Sequence, residues 1–217
     1  MRCVLFLGPP GVGKGTQCAL LSQRLGFTHL STGAIIRREI ASGSALGVRV
    51  KTLVDQGGLV DDATVLSCLE QALSSLQISK DAVVMLDGCP RNLAQAISVE
   101  PLLEKIGATL ERVISFQADL ADLVERFASR VNCSSCGWIG SLSPDVDLKT
   151  KECGACHTVG TLYRRNDDSP ASVEKRFMLY RAETEPLIAF YEKKGLLYSI
   201  NGLASKEDVY AKVASIL

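Results

Sequence analysis

A parallel β-sheet covered by helices on both faces, interrupted by one helical and one metal-clipped insertion, is the fold this sequence predicts. Three observations carry that reading: short apolar runs alternating with helix-favouring stretches, a glycine-rich turn directly after the first run, and two CxxC pairs inside a segment with little helical periodicity. Strands buried on both faces appear as near-continuous apolar runs, and the helices that connect them lie on the two faces. With 217 residues, 47% of them apolar, the chain has enough material for one large domain with a substantial core.

Residues 2–7 (RCVLFL) form the first apolar run and lead into GPPGVGKGT. Thr16 to Leu25 then favours a helix, ended by Gly26. Ala82–Leu86 is a second buried strand, ending at Asp87-Gly88, and Val113–Phe116 a third. Residues 31–76 carry no strand-like run; Ala34–Ala41, Gly47–Asp55 and Asp62–Leu76 suit helices, separated by Ser42-Gly43-Ser44 and Gly57-Gly58. Residues 131–165 are rich in Cys, Gly, Ser and Asp. After them Ser169 as N-cap and Pro170 at the first helical position predict a long helix to about Lys194, kinked at Pro186.

Charge and composition exclude several function classes. Twenty-four basic and 24 acidic side chains cancel, and the pI near 6.7 argues against general attraction to nucleic acid, so any polyanion site must be local. No apolar run reaches 18 residues, which argues against a membrane span. The Cys3–Leu7 run stops at Gly8-Pro9-Pro10, too short for a signal-peptide core, so a cytoplasmic protein with reduced thiols is expected. Cys3, Cys18, Cys68 and Cys89 are scattered singly and read as small core residues, whereas Cys133, Cys136, Cys153 and Cys156 are paired.

Gly8 to Thr16 is the most informative stretch. Its glycines let successive N–H groups curl inward, Lys14 adds a point charge, and the following helix presents the positive end of its dipole to a phosphate. The pattern GxxxxGK[ST] is nearly met, but Gly15 stands where a magnesium-binding hydroxyl would be and Thr16 comes one residue later. Magnesium is therefore expected to be held chiefly by substrate phosphates and water. Asp87, at the carboxyl edge of a parallel strand, can order the waters around it. Arg91 lies four residues on; Arg126, Arg130, Arg165 and Arg176 bracket the cysteine segment, where guanidinium groups could surround a transferring phosphoryl group. The sixteen residues between the CxxC pairs suit four thiolates placed tetrahedrally, with zinc the first choice and iron the competitor. Four protein ligands leave no open position, so that metal is expected to be structural.

These motifs together resemble the long-lid adenylate kinases. The likeness rests on GPPGVGKGT, Ser31-Thr32-Gly33 with Arg37, Gly57-Gly58-Leu59-Val60, Asp87-Gly88-Cys89-Pro90-Arg91 with Gln95, the stretch from Arg164 to Arg176, and the C-terminal YEKKGLLYSINGLASKEDVY. The resemblance implies a P-loop core with a five-stranded parallel sheet (residues 1–30, 61–130 and 166–217), an AMP-binding helical insertion (31–60) and a zinc-binding lid (131–165). It implies reversible phosphoryl transfer from Mg-ATP to AMP, giving two ADP; a monomer is expected, and the charge balance and short apolar runs already argue against nucleic acid and membrane as partners. Gly11, Val12, Gly13, Lys14, Gly15 and Thr16 would wrap the ATP phosphates, and Arg126, Arg130 and the backbone near Ala204 would complete the ATP site. Thr32, Arg37, Gly58, Leu59, Val60, Gly88, Arg91 and Gln95 would hold AMP, Gln95 at the base edge. Arg165 and Arg176 would clamp the groups in transfer, with Asp167 and Asp168 as lid-hinge acids.

Four departures from the family pattern stand out. Ala34 occupies a position commonly Asp, Cys89 replaces the Phe of DGFPR and would bring a thiol near the site, Gly140 takes the place of a lid aromatic with Trp138 as a substitute, and Leu142–Asp147 lacks the Asn-Pro-Pro turn. None removes a charged catalytic position, so activity is expected. The rivals are a uridylate-cytidylate kinase, which Asn92 suggests, and a GTP-dependent AMP kinase on the same fold. A GTPase switch would need NKxD, which does not occur. A zinc-ribbon nucleic-acid binder is disfavoured by four basic against three acidic side chains in residues 131–165.

Overall fold

The computed structural model describes residues 1–77, 79 and 81–217. Strand β1 (Arg2–Leu7) is followed by a loop and helix α1 (Lys14–Leu25), then a short strand β2 (Thr28–Ser31). Helices α2 (Thr32–Ser42), α3 (Ala45–Asp55) and α4 (Asp62–Ser74) precede β3 (Val83–Asp87), α5 (Leu93–Lys105) and β4 (Thr109–Gln117). Helix α6 (Leu120–Ser129) leads to β5 (Arg130–Cys133), β6 (Ile139–Ser141) and β7 (Leu162–Tyr163). The chain closes with α7 (Pro170–Leu179), α8 (Pro186–Lys193), β8 (Leu197–Asn201) and α9 (Lys206–Ile216).

The central sheet is five-stranded and parallel, in the order β2-β3-β1-β4-β8. Alternate residues of β1 feed opposite faces, as the two-residue period of a strand requires. Cys3, Leu5 and Leu7 pack with Val84, Leu86 and Leu187 in one cluster, while Val4 and Phe6 pack with Phe116, Phe127 and Phe177 in the other. All four scattered cysteines are buried, as their apolar neighbours predicted.

Strand β2 was not legible as a strand. It is a four-residue edge strand, THLS, with a single buried residue, Leu30, and its identity comes from parallel pairing with β3 rather than from an apolar run. The helix predicted to run from Pro170 to about Lys194 is divided. Ser169 caps α7 by accepting from the Ser172 N–H, as expected, but residues 180–184 form a π-helical turn closed by Glu185 N–H to Tyr180 C=O at 2.8 Å. Pro186 lacks an N–H and its ring crowds the carbonyl four residues back, so the ladder widens one turn before the proline.

Residues 131–165 contain a small antiparallel sheet, β6-β5-β7, around Cys133, Cys153 and Leu162. Its strands have two to four residues, too few for a periodic signal. The irregular 142–147 segment is closed by the Val146 N–H to Ser143 C=O bond at 3.1 Å and tied to Arg164, which donates to Ser143 O at 2.9 Å.

Candidate active site

The loop between β1 and α1 turns through Gly11 and Gly13, both at positive φ (81° and 107°). Gly11 also has no room for a side chain, since a Cβ there would stand 2.6 Å from the Phe127 ring. Lys14 opens α1, and its ammonium donates to Gly8 O at 2.7 Å and Pro9 O at 3.0 Å, folding the side chain back across the loop. Burial pulls the Lys14 pKa down to about 8, with Arg91 and Arg176 pushing the same way and Asp87 opposing.

Asp87 ends β3 beside this loop; its Oδ2 would lie 3.8 Å from a Cβ on Gly15. His29, on β2, stands 3.3 Å from the same oxygen. Burial alone would raise the Asp87 pKa, but the His29 hydrogen bond and the Lys14, His29 and Arg91 charges outweigh it, so the carboxylate is held below its ordinary value. The Cys18 thiol, buried on α1, lies within 4.8 Å of the ligand atoms of both.

A cavity opens between α2, the 57–60 turn, the start of α5 and α7. Thr32, Arg37, Gly58, Leu59, Val60, Gly88, Arg91, Gln95, Arg165 and Arg176 all line it. The Arg37 and Arg91 guanidiniums flank Gly33, where a Cβ would stand 3.3 Å from one and 3.7 Å from the other. Arg91 is fixed three ways: Nε donates to Gly88 O at 2.7 Å, its N–H to Gln95 Oε1 at 2.8 Å, and its carbonyl accepts from Thr184 Oγ1 at 2.6 Å. Burial lowers the Arg37 pKa to about 10, still far above neutrality, so a doubly cationic pair faces this cavity.

The remaining arginines are gathered by two carboxylates. Arg165 pairs with Asp167, Arg130 with Asp168, and Arg176 reaches both at 3.1 and 3.3 Å. Burial raises the Asp167 carboxyl, but the Arg165 hydrogen bond and the Arg165, Arg176 and Arg37 charges bring it down to about 2. Arg126 lies apart from this group. It donates to Gly202 O at 3.1 Å, with Val12 O and Leu203 O at 3.4 Å, and lines a second cavity of about 330 Å³ with Asp122, Ser129 and Leu203.

The four paired thiols converge. Cys133 Sγ is 3.7 Å from Cys156 Sγ, and Cys136 Sγ is 3.7 Å from Cys153 Sγ. A tetrahedron with metal–sulfur bonds of about 2.3 Å has edges of about 3.8 Å, so the donor set fits zinc. Each pair sits in the same tight turn: Gly137 N–H bonds to Cys133 O and His157 N–H to Cys153 O, both at 3.0 Å, with Gly137 and His157 at positive φ. His157 thus takes a backbone role in its turn, and its exposed ring lies beside Glu152.

A family model described as adenylate kinase matches residues 6–196. The chain belongs to the adenylate kinase family. It is 38% identical to the adenylate kinase of Thermodesulfovibrio yellowstonii over 100% of this chain and 99% of that one. It is 36% identical to the adenylate kinase of Archaeoglobus fulgidus (99% and 97% covered) and 37% identical to that of Thermosipho africanus (99% and 98%). Its activity is accordingly that of a nucleoside monophosphate kinase, an ATP:AMP phosphotransferase.

Measured against the adenylate kinase pattern, one expectation changes. Cys89 brings no thiol into the cavity: it is 1% exposed and packs in the core with Val99, Leu187 and Tyr191. Ala34 supplies its backbone N–H to the Ser31 hydroxyl, capping α2, and offers no polar side chain. Three residues were missed. His29 pairs with Asp87, Thr184 holds the Arg91 carbonyl, and Asp62 accepts from Gln95 Nε2 at 2.7 Å. A lone histidine in a short strand, a threonine in a helical turn and an acid in a helix's first turn carry no local signal for contacts with residues 33 to 93 positions away.

Proposed function

We propose that the chain transfers the γ-phosphoryl of Mg-ATP to AMP between two clefts, with Lys14 and the arginines as its working groups. The observation that supports this most is convergence: ten residues from four separate stretches of sequence line one cavity beside the Lys14 loop. In this reading residues 1–30, 61–130 and 166–217 form the core, residues 31–60 the AMP-binding unit and residues 131–165 the lid. Gly11 to Thr16 hold the ATP phosphates, and Arg126, Leu203 and Ala204 frame its base. Thr32, Arg37 and Arg91 take the AMP phosphate side, and Gln95 the base edge.

The AMP phosphate oxygen attacks the γ-phosphorus in line and ADP leaves, with no protein base required; positioning and charge stabilisation do the catalysis. Magnesium, arriving with ATP, supplies neutralising charge, and Asp87 orders its water shell. Arg130, Arg165 and Arg176 are balanced by Asp167 and Asp168, so their guanidiniums are oriented before phosphate competes for them. Cys133, Cys136, Cys153 and Cys156 hold a structural zinc that folds the lid. Both clefts are lined within one chain, which supports a monomer, and the eight free thiols, four of them gathered in one cluster, suit a reducing cytoplasm. No helix among the described residues is long and apolar enough to cross a membrane.

The test is a coupled assay with ATP or GTP as donor and AMP, UMP, CMP or GMP as acceptor, run on wild type, Arg91→Lys and Arg126→Lys. The reading requires ATP with AMP as the best pair. It requires Arg91→Lys to lower kcat at least about tenfold through loss of the guanidinium fork, and Arg126→Lys to act mainly on ATP. Near-normal turnover of Arg91→Lys would remove Arg91 from the site.

A further inference from the structure

We infer that Asp62 locks the Gln95 side-chain amide in one of its two orientations, and that this makes the acceptor site select 6-aminopurine over 6-oxopurine monophosphates. The inference rests on Gln95 being the residue at the acceptor's base edge.

A primary amide turned by 180° keeps its shape but exchanges donor for acceptor, so only its partners define its orientation. Here the partners are unambiguous. The Arg91 backbone N–H, which can only donate, meets Gln95 Oε1 at 2.8 Å. The Asp62 carboxylate, which can only accept, meets Nε2 at 2.7 Å. A rotated amide would set N–H against N–H at one end and oxygen against oxygen at the other. Gln95 is 2% exposed, so water cannot relieve either conflict.

Asp62 is held in turn. It is the first residue of α4, and Asn92 Nδ2 donates to its two oxygens at 2.9 and 3.2 Å. Asn92 Oδ1 accepts the Gln95 backbone N–H at 2.8 Å, capping α5. Asp62, Asn92 and Gln95 therefore form a closed triangle at the edge of the cavity. Asn92 is engaged in this triangle, which gives it a role that does not involve pyrimidine recognition.

With these two bonds made, the Gln95 amide keeps one N–H and one oxygen lone pair for a ligand. Adenine offers a 6-amino donor beside the N1 acceptor; hypoxanthine and guanine offer a 6-oxo acceptor beside an N1–H donor. An amide matched to one edge must rotate to match the other. A locked amide therefore meets a 6-oxopurine with donor facing donor and acceptor facing acceptor, and buried mismatches of that kind discriminate strongly.

The experiment measures kcat/KM for AMP and for IMP at saturating Mg-ATP, the KM for ATP, and Tm, in wild type, Asp62→Leu, Asp62→Asn and Gln95→Leu. Asp62→Leu should lower the AMP-to-IMP ratio at least about tenfold, with the KM for ATP unchanged within about twofold. Asp62→Asn keeps a carbonyl oxygen that can accept from Nε2, so it should retain the ratio within about threefold. A wild-type ratio in Asp62→Leu, or equal losses in both Asp62 variants, overturns the inference. The Gln95 side-chain NH₂ signals in the ¹⁵N spectrum of the wild-type enzyme give a readout independent of variant folding. Slow solvent exchange supports a locked amide, and exchange as fast as an exposed glutamine overturns it. If Gln95→Leu affects AMP and ATP equally, it is the base-edge assignment that fails, whatever Asp62 does.

Discussion

The indole of Trp138 lies where a side chain on Gly140 would have to be: a Cβ there would stand 1.9 Å from Trp138 Cη2. A Cβ on Gly154 would also come within 2.8 Å of the ring. The two glycines flank an aromatic side chain that packs among Cys133, Cys153, Leu142, Leu148 and Leu162. Trp138 thus supplies the apolar bulk of the 131–165 segment.

Gly140→Ala should expel the ring. Trp138 is the sole tryptophan in the chain, so its emission reports this segment alone. We expect a red-shifted emission maximum in Gly140→Ala and an earlier thermal transition followed by fluorescence. An unchanged spectrum and transition would mean that the ring does not sit where the structure places it.

Cys153→Ala removes one of four thiols from a segment with a small core. Metal binding becomes folding free energy in such a segment, so elemental analysis should show metal falling from about one per chain toward zero, with a lowered Tm. Turnover should persist in part at low temperature, where residues 131–165 keep their fold. Metal-free protein with residues 131–165 still folded and no activity at all would point instead to a metal that enters the chemistry.

Burial lowers the Lys14 pKa to about 8, and bound phosphate favours its charged form, so ATP binding should draw in a proton when the lysine is partly neutral. At pH 8 the uptake should approach about half a proton per ATP, and near pH 6 the Lys14 contribution should vanish. Calorimetry in buffers of different ionisation enthalpy measures it. Lys14→Arg, always charged, should abolish the pH 8 uptake; retention of it would assign the proton to another group.

Asp167 is held at about 2, below its ordinary value of 3.8. A depressed carboxyl stabilises the fold above pH 3.8 and loses that contribution as pH falls through its folded value. The wild-type protein should therefore lose about 2 kcal/mol from this group between pH 4 and 2. Asp167→Asn should melt lower at pH 7, because it leaves Arg165 without its partner, and should show a shallower stability decline across that acid range. Denaturant unfolding at pH 7, 4 and 2.5 reads both effects, and parallel curves for the two proteins would contradict this account.

The sequence by itself determined the strongest local signals. Gly8–Thr16 stands out because its glycines and Lys14 lie on contiguous backbone, which folds into one loop between β1 and α1. The CxxC spacing marks the four-thiol cluster because each turn sets its own pair, and β1, β3 and β4 are legible because burial on both faces leaves continuous apolar runs. Tertiary structure alone decided what depends on contacts between distant segments. Strand β2 exists because β3 supplies its hydrogen bonds. Cys89 turned out to face the core and not the cavity because its side-chain direction follows from how α5 and α8 pack. His29 meets Asp87, and Asp62 meets Gln95, only after the sheet and helices bring them together. Local pattern encodes which groups the chain carries; the orientation of an amide or a carboxylate is set by partners that no spacing reveals, because those partners arrive through packing.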